Sequence, residues 1–207
     1  MRLKIIIVGL LTVLITFAPL STMADEKSTI RFILTGDLYE LSANNGRGGY
    51  AKLASVAKIY KKKTKSDIHS FLVHAGDAYS PSLLSAMDKG KSAVVMLNAV
   101  GVDYMVLGNH EWDFGPEIAR KRVWESNFPV LASNAIDIDG LPIDGTVRTA
   151  MVQVGTFRVG IMGLITPKTK VLASPKSDTF LPVLVTAAAL QGVKRIRCRS
   201  YSSFSTS

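Results

Sequence analysis

Short apolar runs that stop at a polar turn recur along this chain. Ile30–Leu34 ends at Thr35-Gly36-Asp37, Phe71–His74 at Ala75-Gly76-Asp77, and Tyr104–Leu107 at Gly108-Asn109-His110. A fourth run, Pro129–Ala132, ends at Ser133-Asn134. Each has the length of a buried strand and a turn signal behind it. Between the runs the apolar period lengthens. Tyr50–Lys63 reads as a helix with Leu53, Val56, Ala57 and Tyr60 on one face, entered from the turn Gly46-Arg47-Gly48-Gly49. Leu83–Val100 has helical spacing around Leu84, Met87, Val95 and Leu97, broken at Lys89-Gly90-Lys91. Pro116 sits where a first helical turn belongs, ahead of an apolar face of Ile118, Ala119 and Val123. Thr149–Val154 and Phe157–Leu164 flank Gly155-Thr156 as a hairpin. No internal repeat is visible.

Strand and helix alternate at least three times, which predicts βαβ units in a layered α/β fold. Right-handed crossovers bring the C-terminal ends of successive parallel strands to one edge of the sheet, where ligands bind. Asp37, Asp77, Asn109 with His110, and Asn134 are therefore expected to converge there. Two aspartates and an asparagine are oxygen ligands for a divalent cation, and a shared carboxylate can bridge two ions. Beside them His110 can protonate a leaving oxygen, with Asp113 fixing its tautomer. Taken singly, each Gly-Asp pair is also an ordinary turn. His74 alternates away from Asp77 and reads as a packing residue. His69 falls in a polar loop and reads as solvated. Trp112 and Phe114 read as loop packing rather than base stacking.

Composition changes the picture at the two ends. Met1–Lys4 is basic, Ile5–Leu20 is almost entirely apolar, and Thr22-Met23-Ala24 puts small residues at a cleavage site. That is the pattern of a secretory signal peptide over residues 1–24, too short for a membrane span. Stable membrane insertion is not expected after cleavage; the product is expected to be periplasmic or secreted. One cysteine, Cys198, excludes an internal disulfide. The formal charge is +9, but Arg2 and Lys4 lie in the leader and Lys194, Arg195, Arg197 and Arg199 near the end. The basic run Lys61–Lys65 reads as a solvated helix end, so no nucleic-acid partner is expected. Residues 194–207 are basic, then Ser-rich, without strand or helix period, and are expected to be a disordered tail behind a domain of residues 25–193.

The motifs together resemble a known family. Gly36-Asp37, Gly76-Asp77 and GNHEWDFG at 108–115 resemble the calcineurin-like metallophosphoesterases, in particular their exported 5′-nucleotidase and 2′,3′-cyclic-nucleotide phosphodiesterase branch. GGYAKLA at 48–54, NFPVLASN at 127–134 and GIMGLITPKT at 160–169 resemble further landmarks of that branch. The resemblance covers about residues 29 to 190 and implies an α/β layered metallophosphoesterase-type sheet with flanking helices. It implies two divalent metal ions (Mn, Zn or Fe) and a small-molecule nucleotide or phosphoester substrate. Residue by residue, Asp37 matches the first metal ligand, Asp77 the bridging aspartate and Asn109 the second-metal asparagine. His110 matches the catalytic histidine and Asp113 its partner carboxylate.

The departures from the pattern are equally specific. The family usually carries a histidine two residues after the first aspartate, where Tyr39 stands here. It also supplies metal-binding histidines downstream, near a Gly-His-x-His segment. This chain has three histidines, His69, His74 and His110, and none follows His110. The C-terminal half of the fold and the family's second domain are expected to be missing, as after a frameshift or early stop. Two readings stand beside the enzyme: a truncated, non-catalytic remnant of the family, and a basic, anion-binding secreted module.

Overall fold

The computed structural model describes residues 27–62 and 67–181. The expected signal peptide, the tail over 194–207, Cys198 and part of the Lys61–Lys65 run lie outside the described residues. The elements in chain order are β1 (Thr29–Thr35), α1 (Tyr50–Lys61), β2 (Ile68–His74), α2 (Leu83–Asp88), α3 (Lys91–Val100), β3 (Tyr104–Val106), α4 (Pro116–Trp124), β4 (Val130–Leu131), β5 (Ala135–Ile136), β6 (Thr149–Val154), β7 (Phe157–Met162), α5 (Thr169–Leu172) and β8 (Thr179–Phe180). A 3₁₀ turn, His110–Trp112, lies between β3 and α4.

Strands β1 to β4 form one parallel sheet in sequence order. Right-handed crossovers that always step the same way leave their helices on one face, and the core lies there. Leu72 of β2, Met105 of β3 and Val130 of β4 meet Ala57 of α1, Val94 and Leu97 of α3, and Ala119 and Val123 of α4. The break at Lys89–Lys91 is real. Helix α2 starts with a reciprocal capping box, the Ser82 hydroxyl accepting from the Ser85 N–H and the Ser85 hydroxyl from the Ser82 N–H. Pro116 opens α4 as expected.

The other sheet face carries Phe32, Phe71 and Tyr104, with ring centroids about 6 Å apart from strand to strand. Phe32 and Leu34 remain 47% and 69% exposed. The antiparallel hairpin β6–β7 turns at Gly155-Thr156, as the spacing predicts. It forms a separate two-stranded sheet, tied to the chain just past β4 where the Ser133 N–H donates to the Gly163 carbonyl at 2.8 Å.

Several expectations are corrected. On α1 the buried positions are Tyr50 and Ala57, while Val56 and Tyr60 are exposed. On α2 and α3 the buried positions are Ser85, Val94 and Leu97, while Met87 and Val95 face outward. An apolar residue at helical spacing turns inward only where the sheet lies beneath it. His69 is not in a loop. Strand β2 starts at Ile68, and the His69 Nε2 accepts the Gly155 N–H at 3.2 Å, tying the hairpin turn to the sheet. His74 faces the helices and is fully buried, in keeping with a packing role.

Candidate active site

The site is built from loops that leave β1, β2 and β3 at the same edge. After β1 the chain turns at Asp37, whose φ is 51°; after β2 it turns at Asp77, whose φ is 59°. Both are non-glycine residues in the left-handed region, which aspartate tolerates better than most but at a cost. The loops are laced together. The Ala75 N–H donates to the Thr35 carbonyl at 2.7 Å and the Asp37 N–H to the Gly76 carbonyl at 3.2 Å. A Cβ on Gly76 would stand 2.5 Å from the Gly108 nitrogen, and one on Gly108 would stand 2.2 Å from the Asp77 Oδ1. Only glycines let the second and third loops come this close.

The third loop enters the 3₁₀ turn directly. The His110 N–H donates to the Asp77 Oδ1 at 3.0 Å. The His110 Nδ1 lies 2.7 Å from the Asp113 Oδ2, and the Ser80 hydroxyl donates to that same oxygen at 2.8 Å. A carboxylate only accepts, so the shared Oδ2 requires the proton on Nδ1 and leaves Nε2 for other chemistry. Burial alone would lower the His110 pKa; the hydrogen bond and charge of Asp113, with Asp77 and Glu111 behind, carry it above the usual histidine value.

Tyr39 stands over this edge. Its hydroxyl donates to the Asp37 Oδ1 at 2.7 Å, and its ring meets the His110 ring edge-on at 6.0 Å between centroids. Burial, then the hydrogen bond and charge of Asp37, push its phenol far above the ordinary range. It is therefore a protonated donor to Asp37. An open cleft of about 610 Å³ adjoins, lined by Asp37, Tyr39, Glu40, Asn44 and Arg47 among others.

The structure thus brings together Asp37, Asp77, Asn109, His110 and Asp113. It does not add Asn134. That side chain is fully buried, with its Nδ2 donating to the Ile165 and Leu181 carbonyls and its Oδ1 accepting the Ile165 N–H. It cross-links the chain because the loop behind β4 runs into the protein rather than along the open edge. Trp112 is buried against Phe180, as its packing role requires.

Two residues with site contacts were given no role by the sequence, although Glu111 lies within the GNHEWDFG motif. One is Ser80, ordinary in any turn. The other is Glu111, whose fully buried carboxylate accepts backbone N–H groups from the Asp77 and Gly108 loops. Burial raises its pKa, against the pull of those N–H donors.

The donor set suits a hard cation in part. Asp37, Asp77 and Glu111 place three carboxyl groups at one edge, and among the described residues no Lys or Arg forms an ion pair with any of them. No group of three or more His, Cys, Asp or Glu side chains among the described residues converges closely enough to hold a metal ion alone. Asp37, Asp77 and Asn109 are the residues at this edge whose side-chain oxygens could hold part of a coordination shell.

A parallel sheet with three loops laced at one edge defines a layered α/β domain. The chain belongs to the calcineurin-like phosphoesterase family, whose sequence model matches residues 30–166. That family uses dinuclear divalent metal centres. The chain is 31% identical to a probable 5′-nucleotidase of Treponema pallidum, over 76% of its own length and 28% of the relative's. It is 32% identical to the 5′-nucleotidase of Bos taurus, over 71% of its length and 26% of the relative's. Among solved structures it resembles the NAD nucleotidase of Haemophilus influenzae, with a TM-score of 0.67 and 27% identity, covering 78% of this chain and 31% of that one. The chain spans between about a quarter and a third of the length of these three proteins. The resemblance read from the three motifs is borne out, and so is the α/β fold.

Proposed function

We propose that the protein is an exported, metal-dependent phosphoesterase acting on nucleotide phosphate esters, with Asp37, Asp77 and Asn109 as metal ligands and His110 with Asp113 as its proton-transfer pair. The observation that carries this reading is the lacing of Asp77 to His110 and of His110 to Asp113 beside Asp37. The nucleotide class rests on the 5′-nucleotidase relatives, and export on the leader pattern of residues 1–24. Two divalent cations held by Asp37, Asp77 and Asn109 would supply the positive charge that polarises a phosphoryl group and acidifies a water.

The rest is done by the chain. Asp113 accepts from the His110 Nδ1, so the proton available for transfer sits on Nε2. The Asp113 carboxylate, which raises the His110 pKa, favours the charged ring that carries this proton. As water adds to phosphorus and the ester P–O bond breaks, the Nε2 proton passes to the departing oxygen. Ser80 steadies the Asp113 Oδ2 and Tyr39 steadies the Asp37 Oδ1.

The test is hydrolysis of AMP and of bis(p-nitrophenyl) phosphate by the full chain with and without Mn²⁺. The expected result is activity that appears only with Mn²⁺ and disappears in Asp77→Asn. His110→Ala is expected to lower kcat by about 10²–10⁴-fold. No Mn²⁺-dependent turnover by the wild type, or full activity in Asp77→Asn, refutes the assignment.

A further inference from the structure

Among the described residues, Glu111 is the one fully buried carboxylate that faces the site without serving as a proposed ligand or proton carrier. Its Oε1 accepts the Ala78 N–H at 2.7 Å and the Tyr79 N–H at 3.2 Å. Its Oε2 accepts the Asp77 N–H at 2.9 Å and the Gly108 N–H at 2.6 Å. Each oxygen therefore takes two amides, which fills the acceptor sites of a carboxylate. Three of these amides belong to consecutive residues of the β2 loop, beginning with Asp77 itself. The fourth belongs to the residue before Asn109, at the start of the β3 loop. One side chain thus ties together the two loops that carry Asp77 and Asn109.

We propose that Glu111 is a positioning residue that sets the separation of Asp77 and Asn109 and so preforms the metal site. The proposal rests on the reading of those two residues as metal ligands. The chemistry of the contact is specific. An apolar side chain of the same size would leave four N–H groups without their acceptor. Glutamine fails for a different reason: whichever way its amide is turned, its NH₂ faces two N–H donors. Aspartate keeps two equivalent oxygens but is shorter by one methylene, so it cannot span both loops without drawing them together. Only a carboxylate on a side chain of this length satisfies the loops as they stand. Its negative charge also adds to that of Asp37 and Asp77, which favours a cation at the edge.

The test uses the full chain, Glu111→Gln and Glu111→Asp, titrated with Mn²⁺ by calorimetry without substrate, with thermal unfolding followed in parallel. Both variants are expected to bind Mn²⁺ roughly 10- to 100-fold more weakly, the usual cost of losing a group that orients a metal ligand. Activity at saturating Mn²⁺ is expected to fall in kcat rather than in KM. Folded variants with wild-type Mn²⁺ affinity overturn the proposal. A second measurement needs no variant: amide hydrogen exchange of Asp77, Ala78, Tyr79 and Gly108 in the metal-free wild type. Protection of all four is expected, and exchange at free-peptide rates overturns the proposal even if the variants fail to fold. If the wild type binds no Mn²⁺ while the four amides are protected, the ligand assignment has failed and the clamp between the loops has not.

Discussion

His74 has no exposed surface, yet its ring carries two nitrogens. Nδ1 accepts the Gly76 N–H at 3.2 Å, so the neutral ring holds its proton on Nε2, and that atom has no hydrogen-bond partner among the described residues. Protonating Nδ1 would set one N–H against another. Burial, only partly offset by the charge of Asp37, lowers the pKa from 6.5 to about 4. The depressed value sets the sign. Above pH 6.5 His74 is neutral in both the folded and the unfolded chain. As pH falls from about 6.5 to about 4 only the unfolded chain takes up the proton, so stability falls, and it levels off below. The expected loss is about 3 kcal/mol. Urea unfolding at pH 7 and pH 4.5 measures it. His74→Asn, whose Oδ1 can still accept from Gly76, should flatten the dependence, and an unchanged slope assigns it to other groups. At this scale the meeting of Asp37, Asp77, Asn109, His110 and Asp113 at one edge was readable as residue type and order. The work of Glu111 was not, because a glutamate next to Trp112 gives no sign in sequence that it points inward.

Strand ends and turns were more legible than helix faces. The polar pairs that stop the first three apolar runs mark the edge correctly, because a Gly-Asp or Gly-Asn turn ends a strand where the chain leaves the sheet. The helix faces were misread at Val56, Tyr60, Met87 and Val95, since spacing reveals a stripe but not which part of it the sheet covers. The close approach of the second and third loops yields a prediction at this level. Gly76→Ala puts a Cβ 2.5 Å from the Gly108 nitrogen at a φ of 104°, whereas Gly101→Ala meets nothing within 4 Å at a φ of 77°. Strain at positive φ alone costs about 1–2 kcal/mol. Gly101→Ala should lose about that much, and Gly76→Ala should lose at least ~2 kcal/mol more, because two backbones must separate. Denaturant unfolding of both variants decides it. Equal losses would show that the loops part freely.

Across the whole molecule, contacts distant in sequence hold the site turn in place. The Asp178 Oδ2 accepts the Trp112 Nε1–H at 3.0 Å, and its two oxygens take the Arg120 guanidinium at 2.7 and 3.2 Å. Asp178 is buried, while Arg120 is partly exposed. Asp178→Asn leaves Arg120 without its counter-charge and is expected to cost about 3 kcal/mol, the lower part of the range for breaking a buried pair. Because Trp112 closes the 3₁₀ turn that begins at His110, the same change should lower activity more than Lys176→Ala, which removes only an exposed pair with Glu117. Thermal unfolding and kcat of both variants test this. Equal effects would mean that the segment around Asp178 does not support the turn.

The order of β1 to β4 and their helices, the β6–β7 hairpin, the three loops that meet at the edge and the family were determined by the sequence alone. They depend on local period, turn chemistry and motif order, which are written along the chain. The placement of Asn134 inside, of His69 under a hairpin turn and of Glu111 between two loops was decided only by the tertiary structure. Each depends on a partner far away in sequence: Ile165 and Leu181, Gly155, or Asp77. A buried polar group is stable only where folding supplies its hydrogen-bond partners.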